Sequence, residues 1–363
     1  MGKYSLENFE KYKTYKIRPQ PLGKHPDNFG RGRAVFLNTS WAELEPERGC
    51  FNLSSIESQL EKTKNAVLMI DSSPPGWSFE CVSTFYAGLI RKVGSVYDGD
   101  ARLLGVAVCT LKNSQEEFDA YHVAFRETKL LNYLRNNDAI SYYKNQAVEF
   151  GLILQCSSEN WIECGELLAR QNLQTVWESS PVLIEFPDEK PEPILDKRAR
   201  FWHVALSNQN LDTGFNFSLR RLTYPKTVTN CGALPLRFWF VNTGTAPCYQ
   251  KIHLNLLMSR DHLRFEIPLR AETETWNIGD IVHNEIVKLP EMPLGQYQVS
   301  VGLFYENGDP VSLDIANHKM SGFYEVGTVG VDSQPRDDLF YIWDTYYPEG
   351  YYPLEDPQAP SGS

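Results

Sequence analysis

The sequence predicts an α/β domain followed by an all-β domain, and three observations carry that prediction. From about residue 30 to about 210, short apolar runs alternate with helix-like segments, the texture of parallel strands covered on both faces. Near residue 224 the texture changes, and from about 234 to 331 strand-like stretches are punctuated by turn residues. The length of 363 residues, 42% hydrophobic and 22% charged, suits two globular cores that need no disulfide or metal staples.

The elements follow in order. Ala34-Val35-Phe36-Leu37 precedes a polar-rich stretch from Ser54 to Lys64, and Ala66-Val67-Leu68-Met69-Ile70 precedes a helix-like segment from Cys81 to Val96. Leu103-Leu104-Gly105-Val106-Ala107-Val108 precedes another, Phe118 to Leu134. Gly151-Leu152-Ile153-Leu154 leads to the segment Trp161 to Arg170, and Pro181-Val182-Leu183-Ile184 to Trp202-His203-Val204-Ala205-Leu206. This alternation specifies an α/β fold, barrel or open sheet. In the second half, Leu236 to Val241 and Gln296 to Leu303 have strand periodicity, with turns at Asn242-Thr243-Gly244 and Asn307-Gly308-Asp309-Pro310. Such spacing predicts a β-sandwich. Phe340, Tyr341, Trp343, Tyr346, Tyr347, Tyr351 and Tyr352 then crowd the C-terminal tail, which reads as a docked tail or a sugar-stacking surface. The expected domains are 1–223, 224–332 and the tail 333–363.

Charge and motifs exclude several functions. Lys+Arg is 35 against Asp+Glu 46, a net −11, which disfavours nucleic acid and anionic lipid as partners. No apolar run has the length of a membrane span, and the N-terminal stretch lacks the apolar core of a secretion signal. The 7 cysteines show no CxxC spacing, which fits reduced thiols and a cytoplasmic location. The 7 histidines include no HxxxH pair, and there is no GxGxxG after a strand, no P-loop and no GxSxG elbow. No metal and no cofactor are therefore expected.

One segment is more informative: Trp41-Ala42-Glu43-Leu44-Glu45-Pro46-Glu47-Arg48-Gly49-Cys50-Phe51-Asn52, followed after the next apolar run by Pro74-Pro75-Gly76-Trp77. These resemble the segments after strands two and three in clan A glycoside hydrolases, the retaining (β/α)8 barrel enzymes. Asn242-Thr243-Gly244-Thr245-Ala246-Pro247-Cys248-Tyr249, Leu289 to Tyr297 and Gly322 to Gly327 resemble the C-terminal β-sandwich of a bacterial glycosidase-like family of unassigned function. The resemblance implies a compact (β/α)8 barrel joined to a β-sandwich and a sugar-related role.

Counting from the anchor at residues 33–38 as strand two gives 66–71 and 103–110 as strands three and four. Residues 138–143, 150–155, 181–186 and 201–206 follow as five to eight, with strand one near Tyr15 to Pro19. In the family that this resembles, the acid/base follows strand four and the nucleophile ends strand seven. The matching positions here hold Glu116-Glu117 and Glu185. Retention needs two carboxyl groups about 5–5.5 Å apart, at the C-terminal ends of the strands. The expectation is a retaining glycoside hydrolase acting on an oligosaccharide, with Glu185 as nucleophile and Glu117 or Glu116 as acid/base. Trp41 and Trp77 are expected as stacking faces, and Asp71, His203 and Asn208 as substrate contacts. Blander readings stand beside these: Glu116 and Glu117 as first-turn acids of a helix, Asp71 as a rim cap and His203 as a satisfied core histidine. The alternative function is a non-catalytic carbohydrate-binding or assembly protein on a degenerate barrel. A homo-oligomer through the sandwich or the aromatic tail is a further expectation.

Overall fold

The computed structural model describes residues 14–17, 34–63, 66–77, 81–157, 159–186, 193–209, 211–335 and 339. The aromatic run 340–352 lies outside the described residues. Two compact units emerge, one drawn from within Asp27–Phe215 and Gly244–Gln250, the other from Met1–Pro26, Asn216–Thr243 and Lys251–Ser363.

The first described strand, β1 (Thr14–Ile17), belongs to the second of these units. It pairs antiparallel with Leu222 to Pro225, so residues 14–17 are not the first barrel strand that the count expected there. Thr-Tyr-Lys-Ile alternates polar and apolar residues, which suits an edge strand; a parallel strand covered on both faces needs a continuous apolar run.

The α/β unit is a seven-stranded parallel sheet with strands in chain order: β2 (Val35–Ser40), β3 (Ala66–Asp71), β4 (Leu103–Ala107), β5 (Leu130–Tyr133), β6 (Gly151–Gln155), β7 (Val182–Glu185) and β8 (Val204–Ser207). The Ala34 amide donates to the Ser207 carbonyl at 2.8 Å, which links the two edge strands of the curled sheet. Alternate residues feed two separate cores, as the two-residue period of a strand requires. Ala34, Val67, Leu104, Leu131, Ile153, Leu183 and Ala205 form the inner cluster. Leu68, Ile70, Leu152, Leu154, Ile184 and Val204 face outward into a larger cluster shared with the helices. Gly151 permits close approach of β6 to β7, because a Cβ there would meet the Pro181 carbonyl oxygen at 2.3 Å.

Among the described residues, seven helices accompany the strands: α1 (Trp41–Leu44), α2 (Ser54–Leu60), α3 (Val82–Tyr97), α4 (Gln115–Ala124), α5 (Asn137–Asn145), α6 (Trp161–Arg170) and α7 (Pro193–Phe201). In α3, Tyr86, Leu89, Ile90, Val93 and Tyr97 are the buried stripe expected of an amphipathic helix. Residues 138–143, counted in sequence as the fifth strand, lie instead inside α5, and the fifth strand is Leu130–Tyr133. The Asn136 side chain accepts from the Ala139 amide at 3.1 Å and starts the helix. Ala139, Ile140 and Tyr143 then fall on its buried face.

The other unit contains two sheets. One has the order β1, β9 (Phe217–Pro225), β11 (Ala233–Asn242) and β14 (Gly279–Lys288). The second runs β10 (Thr227–Thr229), β18 (Phe323–Asp332), β15 (Gly295–Tyr305), β12 (Ile252–Arg260) and β13 (Leu263–Pro268). β16 (Pro310–Val311) pairs with β15, and β17 (Lys319–Met320) with β18. The Tyr224 hydroxyl of β9 donates to the Thr328 carbonyl of β18 at 3.2 Å. Gly244 to Gln250, read in sequence as part of the β-rich half, packs with the α/β unit, where Ala246 joins the inner cluster. Among the described residues no helix is long and apolar enough to cross a membrane.

Candidate functional site

The C-terminal ends of the parallel strands carry a group of polar side chains in register. Glu185 ends β7 beside Gln155, the last residue of β6. Gln155 Nε2 donates to Glu185 Oε2 at 3.0 Å. Asp71 ends β3, and Cys109 follows β4 by two residues. The Tyr133 hydroxyl, at the end of β5, meets Met69 Sδ at 3.6 Å. Burial pushes the Cys109 thiol up to about 12, against a hydrogen bond from the Ile70 backbone, and the charges of Asp71 and Glu185 add to the rise. The Tyr133 hydroxyl is likewise raised, first by burial and then by Cys109 and Glu185. Asp71 and Glu185 therefore act on one thiol from two different strands.

Asp71 is also a local cap, since its Oδ1 accepts from the Ser73 amide at 3.0 Å and from the Ser73 hydroxyl at 2.8 Å. Asn208, just after β8, makes a two-point clasp on the residue that follows Glu185. Its Oδ1 accepts from the Phe186 amide, and its Nδ2 donates to the Phe186 carbonyl, both at 2.9 Å. Asn208 is thus a positioning residue for the exit of β7.

Glu116 and Glu117 are engaged elsewhere, in the first turn of α4. Ser114 caps that helix by accepting from the Glu117 amide. Glu117 is fully buried, its Oε2 accepts from the Lys112 amide at 3.1 Å, and its Oε1 has no hydrogen-bond partner. Its charge reaches Tyr86, whose hydroxyl bonds the carbonyls of Ile70 and Cys109 and the hydroxyl of Tyr121 in the strand–helix layer. Glu116 is exposed and accepts from the Thr84 hydroxyl of α3 at 3.0 Å. β4 itself ends without a carboxylate.

The tryptophans of the informative segment form a clasp. Trp41 is completely buried, and its indole N–H donates to Glu45 Oε2 at 2.9 Å. Glu45 Oε1 accepts from the Gly49 amide at 2.8 Å, and Gly49 takes the positive φ of 79°. The Trp77 indole donates to the Glu45 carbonyl at 3.1 Å and packs edge-on against Trp41 at 6.0 Å. Trp41 has no free face for a sugar, contrary to expectation, because its ring fills the core between β2 and α3.

His203 also departs from expectation. It precedes β8 (Val204–Ser207) and so stands at the N-terminal end of that strand, opposite the end that carries Glu185. It takes a φ of 53° after α7, stacks on Trp177 at 3.8 Å and has its Nδ1 3.1 Å from the Thr245 carbonyl. The histidine is satisfied by structure. A cavity of about 770 Å³ lined by Trp161, Trp177, Phe201, Trp202 and His203 lies on this outer side, between α6 and α7.

Gln155, Tyr133 and Cys109 escaped the sequence reading. The available signal was parity: Ile153 and Gln155, Leu131 and Tyr133, and Leu183 and Glu185 each step by two along a strand, so the polar member shares the inner face of its apolar predecessor. Among the described residues, no group of three or more His, Cys, Asp and Glu side chains is arranged to hold a metal ion.

No family model matches the sequence, and no curated protein does. Among solved structures, endo-glycoceramidase II from Rhodococcus sp., as its lactosyl-enzyme intermediate, aligns over 70% of this chain and 88% of its own, with 10% identity and a TM-score of 0.35. The Thermobacillus composti GH10 xylanase aligns over 48% and 71%, with 14% identity and a TM-score of 0.31. Chicken MD-1 complexed with lipid IVa aligns over 27% and 75%, with 15% identity and a TM-score of 0.18. Superpositions this loose transfer no residue, substrate or activity to this chain.

Proposed function

We propose that this protein binds an oligosaccharide at the C-terminal ends of its parallel strands, as a carbohydrate-binding protein on a glycosidase-like barrel. The observation that carries the reading is the set of Glu185, Gln155, Tyr133 and Asp71 at those ends, above an apolar inner layer. Carboxylate, amide and phenol groups on separate rigid strands suit a polyhydroxylated ligand, whose hydroxyls both donate and accept. The resemblance of the Trp41 to Asn52 segment to clan A enzymes supports sugar as the ligand class. The engagement of Glu116 and Glu117 within α4 favours binding over hydrolysis, because the second carboxylate of a retaining pair has no counterpart at the end of β4.

Retaining hydrolysis is the second reading, and one observation favours it. Asp71 and Glu185 are the last residues of β3 and β7, so two carboxylates stand at the same end of the parallel sheet. In that reading Glu185 is the nucleophile and Asp71, in place of the expected Glu117 or Glu116, is the acid/base.

Calorimetric titration with a panel of neutral oligosaccharides, alongside an assay for released reducing ends, tests both. Binding without release, weakened at least about tenfold by Glu185→Gln, is the result expected. Release by the native chain that Glu185→Gln abolishes would replace binding with hydrolysis. No binding by any sugar, with the variant folded, would remove the carbohydrate reading.

A further inference from the structure

Cys156 directly follows Gln155 at the end of β6, and Cys164 lies in the first turn of α6. Both are free thiols, exposed by only 0% and 1%. Cys164 Sγ donates to the Gln155 carbonyl at 3.7 Å, which places it against the peptide group whose nitrogen belongs to Cys156. Cys156 is tied to the candidate site on its other side, since its amide donates to the Glu185 carbonyl at 3.0 Å.

The pair is chemically unequal. The Cys156 thiol beside it holds the Cys164 thiol below its ordinary value; burial opposes this, the Arg135 guanidinium adds to it, and the Glu163 carboxylate offsets part of that. Arg135 is fixed by a fork onto Glu163 at 2.7 and 2.8 Å. The N-terminal turn of α6 also favours a thiolate. Cys156 is pushed the opposite way, first by its hydrogen bond with Cys164 and then by burial. Cys164 is therefore the attacking sulfur and Cys156 the resolving one.

We propose that Cys156 and Cys164 are an oxidation site that hydrogen peroxide converts into a disulfide, pinning the end of β6 that carries Gln155. The Cys164 thiolate attacks one peroxide oxygen, so an S–O bond forms, the O–O bond breaks, and the departing hydroxide takes up the proton that Cys164 gave up. The Cys156 sulfur then attacks the sulfenic sulfur. An S–S bond forms, the S–O bond breaks, and hydroxide leaves as water with the Cys156 proton. Two thiols lose two electrons and the peroxide is reduced to water. The consequence for ligand binding rests on the reading of the strand ends as a sugar site, because Gln155 holds Glu185.

The test uses the full chain with the exposed Cys50, Cys81 and Cys231 changed to Ser. After hydrogen peroxide treatment the remaining thiols are alkylated under denaturing conditions, and the digest is mapped by mass. A cross-linked Cys156–Cys164 peptide, reversed by dithiothreitol, is expected. With Cys156→Ser, a dimedone adduct should appear on Cys164; with Cys164→Ser, Cys156 should stay a free thiol. Full alkylation of both native cysteines, or pairing of either with Cys109 or Cys248, would overturn the proposal. Oligosaccharide affinity is then compared before and after oxidation, with a change of about threefold or more expected. A confirmed disulfide with unchanged affinity would overturn the coupling to Glu185. A confirmed disulfide with no sugar bound in either state would instead count against the sugar reading.

Discussion

Glu45, directly after the short α1 that follows β2, and Glu185, the last residue of β7, are held in opposite ways. Glu45 is 4% exposed, and both its carboxylate oxygens are taken, one by the Trp41 indole and one by the Gly49 amide. Glu185 is half-buried and, among the described residues, has one side-chain tether, from the exposed amide of Gln155. A carboxylate whose acceptor sites are filled by its own segment is a structural part, while one left largely open can meet a ligand. Within the Trp41 to Asn52 segment, Trp41 and Glu45, the two side chains of the clasp, are thus closed to a ligand.

That contrast breaks if the clasp contributes little to stability. Trp41→Ala deletes a fully buried ring and is expected to destabilise the protein by about 3–5 kcal/mol, measured by urea denaturation. Glu45→Ala leaves the buried indole N–H and the Gly49 amide without acceptors, with an expected loss of about 1–3 kcal/mol. A change in Glu45→Ala smaller than its counterpart at Glu185 would reverse the assignment of the two roles.

Much of this architecture was legible before the structure, and the reasons are local. The segment Trp161 to Arg170 forms α6 with the bounds the sequence suggested, because buried Cys164 and Leu168 recur at helical spacing. Glu185 stood out because a charge terminates an apolar strand. β5 was missed because Leu130 to Tyr133 is too short to separate by pattern from the helix before it. Residues 138–143 misled because Ala139, Ile140, Tyr142 and Tyr143 cluster as densely as a strand, and only the Asn136 cap distinguishes a helix. Parity with Ile153 places Gln155 on the inner face, but its pairing with Glu185 needed the register between β6 and β7, which one chain's pattern does not carry.

A third prediction concerns a loop away from both glutamates. Asp98 accepts from the amides of Arg126, Glu127 and Thr128 at 3.0, 3.0 and 2.9 Å. Burial raises its carboxyl, but these bonds together lower it on balance. A folded value below the unfolded one, about 3.9, contributes stability that is present above that pH and is lost as pH falls through the folded value. Asp98→Asn should therefore be less stable than the native chain at neutral pH, by less than about 1 kcal/mol after allowing for solvent screening. The difference should shrink below about pH 4. A pH-independent difference between the two denaturation curves would assign the effect to packing rather than charge.

The smallest expected effect sharpens the comparison most. Gln155 is exposed, and among the described residues its side-chain amide bonds only Glu185. Removing it in Gln155→Ala deletes no core contact, so stability is expected to stay within about 0.5 kcal/mol of the native chain. The Glu185 carboxylate then loses its neighbour and samples more rotamers, so ligand affinity should fall while the clasp at Trp41 is untouched. Urea denaturation and sugar titration on the same preparation separate the two. A Gln155→Ala protein that loses stability as Glu45→Ala does would mean that the strand-end pair is structural as well, and the distinction between a filled and an open carboxylate would no longer locate the site.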